Sequence, residues 1–212
     1  MNSTRIVLLG DSILDNSSYT RPAPDTATCL AAELGPDWSV ELLARDGATI
    51  SGLPLQLQRL RGCPARAVVS IGGNDLTVHI GLLGRQAASS AEILSELQTI
   101  ADDFSRRYEA VARAAAERAE RLLLCTIYEV PLEPPALAHV ARVPLGLIND
   151  RILRIAARLD CDVLDLRSVC TEQSDFVLQI EPSPRGAAKI ADAIAAVVRD
   201  GQSLRSGRLF VR

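Results

Sequence analysis

The sequence predicts an α/β fold of three layers, α/β/α, around a five-stranded parallel sheet, and three observations predict it. Short apolar runs without polar alternation recur at 5–9, 38–44, 65–71, 121–127 and 161–166, the pattern of strands buried on both faces. Segments with helical spacing or helix punctuation separate these runs, as right-handed crossovers between parallel strands require. The first three runs lead into Gly10, Gly47 and Gly72, so turns capable of carrying chemistry leave the same edge of the sheet.

Taken in order, the first strand, Arg5-Ile-Val-Leu-Leu, runs straight into Gly10-Asp11-Ser12. A polar, proline-rich loop at 16–24 follows, and Asp25 is the expected N-cap of a helix over 27–34 that Gly35-Pro36 closes. The second strand covers 38–44. A short helix is expected over 52–61, then the third strand over 65–71. Ile93, Leu97, Ile100, Phe104, Tyr108 and Val111 recur at three and four residues, predicting a long amphipathic helix over 87–120. The fourth strand is 121–127, and three prolines mark 129–138 as a loop. A helix over 145–159 leads to the fifth strand at 161–166, and a final helix spans 184–199. No repeat or linker interrupts the chain, so 1–212 reads as one domain, with 201–212 either a loose tail or a segment that packs on the body or on a partner.

The chain has 212 residues, 48% apolar and 23% charged, with a net charge of −3. That is a globular profile with a proper core. The charge gives no general field for nucleic acid, and one tryptophan, three tyrosines and three phenylalanines make a poor base-stacking surface. Five cysteines include no CxxC pair and read as reduced, structural thiols. No run is long enough to cross a membrane. With the first strand beginning at residue 5 there is no room for a signal peptide, so a cytoplasmic protein is expected.

Four blocks concentrate the chemistry: Gly10-Asp11-Ser12-Ile13, Asp46-Gly47-Ala48-Thr49, Gly72-Gly73-Asn74-Asp75 and Pro182-Ser183-Pro184-Arg185-Gly186. Taken alone, each is an ordinary turn or cap. In this order and spacing they resemble the SGNH (GDSL) hydrolase family. The resemblance implies a flavodoxin-like strand order and a serine esterase. Ser12 would be the nucleophile, and the Ser12 N–H, the Gly47 N–H and the Asn74 amide would form the oxyanion hole. Asp11 would support the nucleophile's turn.

The family closes with Asp-x-x-His before a proline. Aligned on Pro182, the histidine position holds Glu181 and the aspartate position holds Leu178. Only His79, five residues beyond Asn74, and His139, in the proline-rich loop, could supply an imidazole. A carboxylate is about two pKa units less basic than histidine, which at a Brønsted slope near one half costs on the order of tenfold. Burial recovers part of that. The expectation is therefore an atypical member with Glu181 as base and Asp175 sharing a proton with it. The opposing reading pairs Glu181 with Arg45 or Arg185, which would hold its pKa low.

These readings give a serine hydrolase acting on a small-molecule carboxylic ester, with no metal or organic cofactor, since no His/Cys ligand cluster exists. The alternative is a non-catalytic binding protein that keeps the oxyanion pocket for a carboxylate or acyl ligand. Nucleotide binding ranks below both, because neither GxxxxGK[ST] nor GxGxxG occurs.

Overall fold

The computed structural model describes residues 4–200 and 208–211. Strands β1 (Thr4–Gly10), β2 (Trp38–Leu42), β3 (Arg66–Ser70), β4 (Leu122–Cys125), β5 (Asp162–Leu164) and β8 (Leu209–Phe210) form one parallel sheet in the order β2-β1-β3-β4-β5-β8. Helices α1 (Ser17–Thr20), α2 (Thr26–Leu34), α3 (Leu53–Arg59), α4 (Gly73–Thr77), α5 (Ser90–Ala116), α6 (Pro135–Leu159) and α7 (Pro184–Asp200) connect and cover it. A separate antiparallel hairpin, β6 (Phe176–Val177) with β7 (Glu181–Pro182), stands beside the carboxyl edge.

Alternation along β1 divides the core into the expected layers. Val7 and Leu9 face α3, α5 and α6, meeting Leu53, Phe104, Tyr108 and Ile152. Ile6 and Leu8 face α2 and α7, meeting Leu30, Ile190 and Ile194. All of these side chains are essentially without solvent contact, which is why β1 reads as a continuous apolar run. Asp25 caps α2 as expected, accepting from Thr28 N–H at 2.8 Å, and Ser89, which no reading of the sequence singled out, caps α5 by accepting from Glu92 N–H at 3.3 Å.

One expectation is corrected, and at the chain end one of two alternatives is found. The segment assigned to a loop at 129–138 instead enters α6 at Pro135, ten residues before the expected start at 145. Pro135 occupies the first turn, where no N–H is needed, and the interior Pro144 is tolerated within a long helix that packs on α5. The chain end is not wholly a loose tail: Leu209 and Phe210 pair with Val163 and Leu164 as a sixth strand, and Arg208 lies over the Phe210 ring at 4.6 Å. The remainder of the expected tail, 201–207 and 212, lies outside the described residues. Among the described residues no helix is long and apolar enough to cross a membrane.

Candidate active site

Ser12 leaves β1 in a tight turn built by its neighbours. Gly10 has φ +137°, and a Cβ there would fall 1.7 Å from the Ser70 carbonyl oxygen, so β1 and β3 can approach this closely only at a glycine. Gln56 brackets the same residue: its Oε1 accepts from Gly10 N–H at 2.8 Å and its Nε2 donates to Gly10 C=O at 2.7 Å. The Asp11 carbonyl accepts from Leu14 and Asp15 N–H, while its carboxylate accepts from Ile13 N–H at 3.2 Å. Ser12 is thereby fixed, 7% exposed, in the wall of a cavity.

The second and third loops are tied to one another. Asn74 donates through Nδ2 to Ala48 C=O at 2.9 Å. Asp75 accepts from Ile50 N–H at 2.9 Å and from Arg107 at 2.6 Å. These bonds draw the 46–50 loop toward the start of α4. Gly47 sits in that loop with φ +73° and nothing within 4 Å of where a Cβ would be, leaving its backbone open to a ligand. Gly47 is exposed and stands outside the cavity wall, whereas Asn74 is part of it.

The hairpin delivers Glu181. Its turn contains Leu178 and Gln179 at φ +49° and +71°, and the Tyr128 hydroxyl donates to Ile180 C=O at 2.7 Å. Glu181 shares the cavity wall with Ser12 and is 9% exposed. Its Oε2 has no hydrogen-bond partner. Burial raises its pKa above the usual glutamate value; the nearby Ser12 hydroxyl opposes this by hydrogen bonding, and the charge of Asp46 adds to it. Asp11 is pushed to about 7 by burial, against the pull of Ile13 N–H and with added repulsion from Glu181 and Asp75.

Three sequence-based assignments around Glu181 need correction. Asp175 is not a partner for its proton: the carboxylate is held by Lys189 at 2.7 Å and by the N–H groups of Thr171 and Glu172, each at 3.0 Å. Although burial works against its charge, those partners hold its pKa below the usual range. Arg185 pairs with Glu172 at 2.8 Å and with Asp175 at 3.4 Å, not with Glu181. Arg45 is exposed and forms no ion pair with Glu181. With neither arginine on it, the carboxylate keeps its raised pKa. His79 is exposed on the cavity wall, and His139 is exposed in the early turns of α6, away from that wall.

The cavity has a volume of about 220 Å³ and extends from Ser12 and Glu181 between α5, α6 and a 3-10 turn at Ile80–Gly84. Leu76, Leu82, Leu97, Ile100, Leu145 and Ile148 give it an aliphatic wall. Sequence reading passed over this wall, and also over Gln56 and Tyr128. The wall residues are scattered through three segments and carry no local signature.

A model of the GDSL-like lipase/acylhydrolase family matches residues 8–189. An extracellular lipase from Streptomyces rimosus superposes with a TM-score of 0.70 at 15% identity, over 93% of this chain and 99% of the lipase. A phospholipase A1 from Streptomyces albidoflavus gives 0.68 at 16% identity, covering 94% and 99%. A carbohydrate acetylesterase from Sinorhizobium meliloti gives 0.63 at 14% identity, covering 93% and 99%. A search of curated proteins returned no match.

Proposed function

The chain belongs to the GDSL-like lipase/acylhydrolase family, and from that premise we propose that it is a serine esterase in which Glu181 does the work of the missing histidine. The observation that carries this is the meeting of Ser12 and a buried Glu181 carboxylate, free of any arginine and with Oε2 unpartnered, in one cavity wall. Ser12 Oγ attacks the acyl carbon while Glu181 accepts the hydroxyl proton. The carbonyl oxygen gains the negative charge and is held by the Ser12 N–H, the Gly47 N–H and the Asn74 amide. Glu181 returns the proton to the departing alcohol, leaving an acyl-serine. It then takes a proton from water, which attacks the acyl carbon; the acid leaves and Ser12 recovers its hydroxyl proton.

Burial supports this role, since a carboxylate raised above its normal pKa is a stronger base once ionised. The same acidic surroundings weigh against the carboxylate-binding form of the non-catalytic alternative above pH 7, where a bound carboxylate would face ionised Glu181 and Asp11; an uncharged acyl ligand is separated from the esterase only by the test below. The test is labelling with a fluorophosphonate, compared with Ser12→Ala and with turnover of a nitrophenyl ester. Labelling at Ser12 together with Ser12-dependent turnover is expected. Absence of both would remove the enzyme and leave the binding protein.

A further inference from the structure

The neighbours in fold include a lipase, a phospholipase and an acetylesterase, so the fold does not decide how long an acyl group this chain accepts. The cavity does. Its wall includes Ser12 and Glu181, and the side chains that α5 and α6 add to it are all aliphatic, Leu97 and Ile100 from α5 and Leu145 and Ile148 from α6, with Leu82 of the 3-10 turn beside them. Polar side chains in this wall come from the strand-end segments and the hairpin, as Asp11, Ser70, Asn74, Tyr128 and Glu181, with Thr77 and the exposed His79 beside them. An acetyl group fills only a small part of about 220 Å³ and would leave the rest empty or holding unpartnered water.

We propose that this cavity is an acyl-chain pocket and that the substrates are esters of unbranched, medium-chain fatty acids. The proposal rests on the esterase reading for its chemistry and sets the substrate class by shape. A dry apolar cavity of about 150 Å³ accepts the six carbons of benzene. By the same filling, about 220 Å³ accepts a chain of roughly eight or nine carbons. Each methylene moved from water into such a pocket raises kcat/KM about fourfold, so four more methylenes give on the order of a hundredfold. Beyond roughly nine carbons the gain stops, because the added carbons have no wall to meet.

Ala141 is the smallest side chain on the α6 part of the wall. Ala141→Leu keeps a good helix former while taking up pocket volume. The experiment measures kcat/KM for nitrophenyl esters from acetate to myristate, with wild type and Ala141→Leu. Binding of 2-decanone and of acetone is followed by calorimetry as a readout that needs no turnover. The expected result is a steep rise to octanoate and a plateau, with Ala141→Leu moving the start of the plateau to shorter chains. Fastest turnover of acetate, with no chain-length gain, would overturn the pocket and leave the esterase standing. No hydrolysis of any ester, but binding of 2-decanone far above acetone, would overturn the esterase and leave the pocket. Equal weak binding of both ketones without hydrolysis would overturn both.

Discussion

Nζ of Lys189 lies 2.7 Å from Oδ2 of Asp175, a carboxylate with no solvent exposure. The acidic group immediately ahead of β6, six residues before Glu181, is thus neutralised from α7 and shares no proton with Glu181. Removing the lysine leaves a buried charge with only Arg185 at 3.4 Å and backbone donors. Lys189→Met should lower stability at pH 7 by about 3 kcal/mol. Because the folded pKa of Asp175 is depressed, this ion pair stabilises above the unfolded carboxylate range and its contribution fades as pH falls. Urea melts at pH 7 and pH 3.5 should show the gap between wild type and variant closing at the lower pH.

Glu181→Gln removes the proton acceptor with almost no change in shape. kcat should fall by about a thousandfold or more. In wild type the rate should climb with pH as Glu181 ionises, through a midpoint above the ordinary glutamate value of 4.5, since burial raises it. The variant should lack that limb. His79→Ala, by contrast, should leave kcat within about twofold, and a large loss there would transfer the base to the exposed imidazole on the rim.

Asn74→Ala should lower kcat by about a hundred- to a thousandfold with little change in KM, as loss of one oxyanion donor does. Its bond to Ala48 C=O is lost as well, so the 46–50 loop should exchange amide hydrogens faster. Hydrogen exchange and steady-state kinetics on one preparation separate the two effects. A rise in KM alone would place Asn74 in substrate binding only.

Asp11 is raised from 3.8 to about 7 in the folded chain. The folded protein therefore holds this proton more tightly than the unfolded chain, and stability falls as pH rises between those values. Asp11→Asn does not titrate and keeps an acceptor for Ile13 N–H. Its stability relative to wild type should improve between pH 4 and pH 7, by up to about 4 kcal/mol, and level off above. Thermal melts at pH 4.5 and pH 8 measure this; a difference independent of pH would contradict it.

Gln56→Leu takes the Gln56 partner from the buried Gly10 N–H, while Gly10 C=O keeps Arg45 N–H at 2.9 Å. An orphaned buried donor costs about 1–3 kcal/mol, so a loss of about 2 kcal/mol is expected in chemical denaturation, with a lower kcat because the turn holding Ser12 loosens.

Much of this molecule was legible from the chain alone. Strands such as β1 and β3 announce themselves because burial on both faces leaves no room for polar alternation, and their glycine endings locate Ser12 and Asn74 on one edge. Aligning on Pro182 also found Glu181, whose carboxylate does share a wall with Ser12. The partners of these groups were not legible. Lys189 lies fourteen residues beyond Asp175 on a different element, and only the packing of α7 against the segment ahead of the hairpin brings them together. Pro135 misled in the same way, since a proline marks a loop or a first helical turn equally well until the neighbouring helix is known. Leu209 and Phe210 could not be assigned to the sheet from sequence because a two-residue strand has no periodicity to read.

A parallel sheet of this kind offers its outermost backbone to any passing strand. On the β5 side the border, among the described residues, is β8, two residues long and introduced by the charged Arg208. So short and charged a border gives a second molecule little to register against, the selvedge by which a sheet resists unravelling into fibres.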